Sequence, residues 1–235
     1  MRCAIVLSGR VRDDQAAARL LRSSDRIDCA DGGARHLRRL GILPHSLTGD
    51  LDSIDPDDLA WLEQNRVPLT RFPVEKDETD SELVLQRLLD QLTGPPESHE
   101  IILLGALGSR PDHVLANQLM AARLAESGWR LRLTDGRSDL YTLTGGQCLQ
   151  LDIRPAADHS AAPVVSVIPV TRTISGLSYW GLYYPLHDAS LQRGTTRGVS
   201  NQIDPDRLKK AGTAGVPAEI SLVRGTALVV VTPAE

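Results

Sequence analysis

Aspartates recur where short apolar runs end: Asp31 in ADGG, Asp50 and Asp52 in GDLDSI, Asp77 and Asp80 in KDETD, and Asp112 in GSRPDH. Carboxylates brought together repel and raise one another's pKa unless a cation compensates. An all-oxygen ligand set selects a hard ion, and magnesium commonly joins one or two carboxylates to substrate phosphates. Asp50 and Asp52 face the same way on an extended segment, and in a turn they can chelate jointly. The competing role for each residue is helix capping or turn formation, above all for Asp80, which precedes a helical run. Four such loops at successive strand ends argue instead for a shared task.

The glycines fit a phosphate site beside these acids. Gly32 and Gly33 open a helix after a strand, and Gly105 and Gly108 follow another. Backbone N–H groups and a helix N-terminus can there approach an anion closely. Neither stretch is a Walker A loop or a G-x-G-x-x-G loop. Arg110, in the same loop as Asp112, can grip a phosphate bidentately or pair with a neighbouring carboxylate. Lys76 is either a phosphate ligand or a solvated partner of Glu75 and Glu78, and His113 either packs or touches nucleotide.

The elements that would carry these loops alternate. Strand-like runs at 3–7, 27–30, 46–48, 69–72, 101–104 and 131–134 are separated by helical patterns at 15–22, 34–40, 57–65, 81–92 and 112–127. This alternation predicts β-α-β units and a parallel, Rossmann-like sheet, with ligands beyond the carboxyl ends of its strands. In the helix at 81–92, Leu83, Val84, Leu88 and Leu92 share a face that should pack on the sheet. Beyond about residue 136, strands at 147–151, 164–170, 220–223 and 227–231, with one helix at 205–210, predict an antiparallel β-sandwich. The expected division is 1–136 and 137–235, joined by turn chemistry at 135–138.

A net charge of -4 without a basic run argues against nucleic acid. No apolar stretch reaches the roughly 20 residues of a membrane span, and the opening MRCAIVLSGR is short for a secretory signal. Cys3, Cys29 and Cys148 form no C-x-x-C pair and read as small buried residues in a reducing compartment, so a cytoplasmic location is expected. The histidines lack metal spacing and thiolate company, which argues against zinc.

ADGGARHL (30–37), GDLDSI (49–54), EKDETDSEL (75–83), GALGSRPDHVLAN (105–117), GLYYPL (181–186) and RGVSN (197–201) together resemble the thiamine pyrophosphokinase family, in its order and over almost the whole chain. The resemblance implies an N-terminal α/β catalytic domain, a C-terminal β-sandwich, and a homodimer with active sites between subunits. It implies transfer of the β,γ-pyrophosphoryl group of ATP to the thiamine hydroxyl, with AMP released and magnesium required. By position, Asp50, Asp52 and Asp80 resemble the magnesium and catalytic carboxylates, with Asp31, Asp77 and Asp112 beside them, so the resemblance implies a metal set of Asp50, Asp52, Asp80 and Asp112 and a base at Asp77 or Asp80. Arg110 would hold ATP phosphates, and Tyr184, Ser200 and Asn201 would form the thiamine pocket. Ser109 and Pro111 depart from the family's usual loop, where a glycine and an apolar residue flank the arginine.

An aromatic face attracts the thiazolium cation, and Tyr184 offers one unless it only packs in a strand. Ser200 and Asn201 can hydrogen-bond a pyrimidine or simply form a turn. Trp180 and Tyr183 read as structural. Two rival readings remain: the same chemistry on another alcohol, such as a hydroxymethyl-pterin, and a non-catalytic nucleotide sensor on the same scaffold.

Overall fold

A computed structural model describes residues 1–73, 75, 77–108, 110–153, 163–211 and 215–233. The chain divides into two units, the first comprising Met1–Met120 with Ser127–Arg137, the second Ala121–Glu126 with Ser138–Glu235. The final turn of one helix therefore groups with the second unit.

In the first unit, β1 (Arg2–Val6), α1 (Asp14–Arg22), β2 (Arg26–Ala30), α2 (Ala34–Leu40), β3 (Ser46–Gly49), α3 (Pro56–Gln64), β4 (Leu69–Arg71), α4 (Asp80–Gln91), β5 (Glu100–Leu104), α5 (Pro111–Glu126) and β6 (Arg130–Thr134) follow in order. The strands run parallel in the order β6-β5-β1-β2-β3-β4. From β1 the chain winds outward through β4, then returns to the other side of β1 as β5. The loops after β1 and β5 therefore part at a topological switch point, where open α/β sheets form a crevice.

Burial on both faces explains the continuous apolar character of β1 and β5, whose Ile5 and Leu103 are fully enclosed. Helix ends follow local chemistry. Asp13 caps α1 by accepting from Ala16 N at 2.8 Å, Asp55 precedes Pro56 to open α3, and Gly41 closes α2 at φ +63°. Helix α4 packs on β2 and β3 as expected, but its buried set is Leu83, Val84, Leu85 and Leu88. Leu92 is the C-terminal cap and lies half-buried, because the chain has already left the helix there.

The second unit contains β7 (Asp139–Thr144), β8 (Gln147–Ile153), β9 (Val164–Pro169), β10 (Thr173–Trp180), β11 (Ala189–Gln192), β12 (Asn201–Gln202), α6 (Pro205–Ala211), β13 (Val216–Leu222) and β14 (Thr226–Thr232). Antiparallel sheets of order β12-β9-β14-β7 and β11-β10-β13-β8 enclose one core, in which Val167 and Val229 of the first meet Leu177 and Ile220 of the second. The unit is thus a β-sandwich. Cys3 and Cys29 are buried as expected, whereas Cys148 is exposed: β8 alternates, and its even-numbered residues face outward while Leu151 and Ile153 point into the core. Among the described residues no helix is long and apolar enough to cross a membrane.

Candidate active site

The loops at the carboxyl ends of β1, β2 and β5 line a cavity of about 280 Å³ within the first unit. Ser53 beyond β3, the N-terminus of α4 and Asn117 of α5 complete its wall. The cavity depends on missing side chains. A methyl group at Gly9 would collide with the carbonyl of Gly105, one at Gly33 with the carbonyl of Val6, and one at Gly49 would come 2.8 Å from the Cβ of Asp31. Gly105 also adopts φ +81°, which costs other residues energy.

Asp31 is 2% exposed and begins a single turn of 3-10 helix after β2. Its Oδ2 accepts from the Ser53 N–H at 3.2 Å and from the Ser53 hydroxyl. Its Oδ1 is buried and has no hydrogen-bond partner among the described residues. Burial pushes the Asp31 pKa up; the Ser53 hydrogen bonds oppose this, and the charges of Asp80 and Asp50 add to it.

Asp50 and Asp52 lie in a turn rather than an extended segment. Leu51 between them takes φ +66°, and the Asp52 N–H donates to Asp50 Oδ1 at 3.3 Å. A hydrogen bond to Asp50, and its charge, raise the pKa of exposed Asp52. Carboxylate oxygens of Asp31, Asp50 and Asp52 all lie within 4.8 Å of one another. A bare buried oxygen within an all-oxygen donor set fits a hard divalent cation.

Asp80 lines the same cavity, and its charge reaches both Asp31 and Asp52. It does not cap α4: Thr79 does so, accepting from Glu82 N at 3.3 Å, and Asp80 is the first helical residue. Asp77 is exposed and lies apart from the cavity wall. Gly32, Arg110 and His113 line the cavity. Asp112 lies outside the three-aspartate cluster and holds Arg110, Oδ2 to Nη2 at 2.6 Å, so that its own pKa falls to about 2. Lys76 and Ser109 lie outside the described residues.

Sequence reasoning passed over Ser8 and Gly9, which line the cavity after β1, and assigned no role to Ser53, Ser81 or Asn117. Ser81 Oγ donates to Asn117 Oδ1 at 3.1 Å, tying α4 to α5. A glycine directly after a buried strand was the available signal for the first pair.

In the second unit Tyr184 is 59% exposed and meets Tyr183 edge to face at 4.9 Å. Trp180 is exposed too, with the Arg207 guanidinium 4.2 Å above its ring. Asn201 is buried and grips the tyrosine loop: its Oδ1 accepts from Tyr184 N at 3.0 Å and Gln202 N at 2.9 Å, and its Nδ2 donates to Tyr184 O at 2.8 Å. Neighbouring Ser200 is exposed at φ +61°, its N–H on Ser166 Oγ at 2.9 Å.

The family profile "Thiamin pyrophosphokinase, catalytic domain" matches residues 17–133, and "Thiamin pyrophosphokinase, vitamin B1 binding domain" matches residues 150–209. The thiamine pyrophosphokinase of Bacillus subtilis (strain 168) is 28% identical over 173 residues, which cover 74% of this chain and 76% of its own. Thiamine pyrophosphokinase 1 of Oryza sativa subsp. japonica is 24% identical over 214 residues, covering 83% and 78%. The crystal structure of thiamine pyrophosphokinase from Bacillus subtilis shares the fold, with TM-score 0.78 and 22% identity over all of both chains.

Proposed function

Because the chain belongs to the thiamin pyrophosphokinase family, we propose that Asp31, Asp50 and Asp52 hold magnesium beside the ATP triphosphate, with Asp80 facing the reacting groups. The protein is an ATP-dependent diphosphotransferase that converts thiamine to thiamine diphosphate and releases AMP. The observation that carries the residue assignment is the meeting of three aspartates, one with a bare buried oxygen, beside a cavity walled by glycine backbone.

In the reaction the thiamine hydroxyl oxygen bonds to the β-phosphorus of ATP as the bond from that phosphorus to the α-phosphate oxygen breaks. AMP leaves, and the hydroxyl proton must go to a base. Such transfers need alignment and charge stabilisation more than covalent help. When bound, magnesium would neutralise charge on the phosphate oxygens. Asp80 is the better placed of the two candidate bases, since it lines the cavity and Asp77 does not. Gly9, Gly32 and Gly105 let phosphate approach the backbone, and Arg110 offers its guanidinium at the same wall. Asp112 orients that guanidinium instead of joining the three-aspartate cluster.

We assign nucleotide chemistry to residues 1–136 and thiamine recognition to 137–235. The exposed ring of Tyr184 gives the thiazolium an aromatic face. Asn201 serves this pocket by holding the Tyr184 backbone; its Oδ1 already accepts two N–H groups. Ser200 remains the candidate for a direct contact with the pyrimidine. We further infer a homodimer, supported by the exposed apolar residues Leu115 and Leu119 of α5 and by Trp180 and Tyr183, and a cytoplasmic location, supported by three unpaired cysteines.

The test supplies ATP, thiamine and magnesium and follows AMP and thiamine diphosphate, which should appear in equal amounts and stop with chelator. Release of ADP in place of AMP would refute the assignment. Competition with a hydroxymethyl-pterin checks the alcohol, and sedimentation checks the dimer.

A further inference from the structure

Resting on the reading of the cavity as the triphosphate site, we propose that His36 and Arg35 are positioning residues for ATP: successive side chains of α2 that hold successive carbonyls of the loop after β1. His36 is 4% exposed, and its Nε2 lies 2.7 Å from the carbonyl oxygen of Gly9. Arg35, though exposed, turns its Nη2 onto the carbonyl of Ser8. Ser8 and Gly9 line the cavity, whereas neither α2 residue does. Both therefore act through the backbone.

A carbonyl can only accept, so His36 Nε2 carries the proton and Nδ1 is left with a lone pair. That Nδ1 is buried without a hydrogen-bond partner among the described residues. Burial lowers the pKa of His36, the bond to Gly9 opposes this, and Arg35 and Arg39 add to the lowering, so the neutral ring is favoured, while the Gly9 carbonyl selects the tautomer. A buried imidazole with one unsatisfied nitrogen is a poor choice for packing alone, because an aliphatic side chain would avoid the desolvation cost. Its contribution lies in the bond to Gly9.

The other face of the same loop is blocked by the segment after β5. Gly9 abuts the Gly105 carbonyl, and a methyl group on Gly105 would come 2.7 Å from the Leu7 carbonyl. The loop is thus held between α2 and the β5 loop. In a planar trans peptide, N–H and C=O point in opposite directions. With the Ser8 carbonyl turned toward Arg35, the Gly9 N–H lies on the side away from that residue. Phosphate is attracted by oriented N–H groups and repelled by carbonyl oxygens, so a peptide that flips there would weaken nucleotide binding.

The test compares His36→Leu, which removes the donor, with His36→Gln, whose amide nitrogen can reach the same carbonyl, and with Arg35→Met at the exposed partner. Wild-type AMP release is measured first; its failure would refute the functional reading and not the positioning role. His36→Leu should raise the ATP KM and the Kd of a non-hydrolysable ATP analogue about tenfold, as expected for one lost buried hydrogen bond. The thiamine KM should stay within about twofold, and His36→Gln should recover most of the loss. Arg35→Met, which removes an exposed side chain, should raise the same two constants about threefold and keeps the test decisive should His36→Leu not fold. Unchanged ATP constants in variants that fold, an equal rise for thiamine, or a Gln variant no better than Leu would overturn the proposal.

Discussion

Ser53 sends both its N–H and its hydroxyl to the same oxygen of Asp31, Oδ2, and leaves Oδ1 buried and without a partner among the described residues. Ser53 therefore sets which Asp31 oxygen is free to bind. Outer hydrogen bonds of this kind, when removed, typically cost about 10- to 100-fold in metal affinity or activity. Ser53→Ala should raise the magnesium concentration for half-maximal AMP release by about tenfold while the ATP KM at saturating magnesium changes little. Titrations of activity and of magnesium-dependent melting check this.

Asp31→Asn should trade activity for stability. An acid whose folded pKa is raised is most favourable to the fold while protonated, and that contribution is lost as pH rises through the folded pKa. Above that value the metal-free protein bears an ionised carboxylate with one oxygen unsatisfied. The asparagine variant should melt about 2–4 °C higher without magnesium, corresponding to about 1 kcal/mol. It should also lose the melting increase that magnesium gives the wild type, and nearly all turnover. A lower melting temperature in metal-free buffer would contradict this account.

Asp52 and Asp112 are both exposed but should behave differently. Asp52→Asn removes a member of the three-aspartate cluster and should reduce kcat by at least about 100-fold with the circular dichroism spectrum retained. Asp112→Asn only frees Arg110 from its 2.6 Å pairing, and should raise the ATP KM several-fold while sparing kcat. Steady-state kinetics of the two variants separates the roles.

Tyr184→Ala should raise the thiamine KM about fivefold to tenfold through the lost aromatic face, with the ATP KM unchanged. Asn201→Ala acts on the same pocket through the backbone. It removes the partner of the part-buried Tyr184 carbonyl and of two N–H groups, so it should destabilise the fold by about 1–3 kcal/mol in addition to raising the thiamine KM. Denaturant midpoints beside kinetics distinguish the two variants.

His36 should give the fold an acid-sensitive component. Its pKa is depressed by burial and by Arg35 and Arg39, with the bond to the Gly9 carbonyl and the charge of Asp14 acting in the opposite sense. The stability it contributes is present above its ordinary value of about 6.5 and is lost as pH falls through the folded value. Between pH 7.5 and 5.5 the urea midpoint of the wild type should fall further than that of His36→Leu. Equal falls would remove His36 from the pH dependence.

Much of the site was legible because β-α-β alternation places strand ends on one rim: Asp31 and Asp80 line the cavity, and Asp50 and Asp52 meet Asp31 beside it. The loop after β1 escaped because LSGR contains one glycine and no motif; its importance comes from Gly105, almost a hundred residues away. Asn201 stood out as polar turn chemistry, but sequence cannot reveal that its amide is consumed by the backbone of Tyr184. Strands β7, β10, β11 and β12 were not anticipated, and β10 shows why: Gly176 at φ +70° and a register shift between Ile174 and Leu177 interrupt its alternation. Asp80 looked like a cap only until Thr79 was seen to fill that role.

The close approach of Gly9 to the Gly105 carbonyl, with Asp31 pressed against Gly49, limits how this catalyst can be diversified. Libraries that vary one loop at a time will find these glycines intolerant, since even alanine acts as a wedge between segments distant in the chain. Retuning the nucleotide pocket would require recombining the β1 and β5 loops as a matched pair.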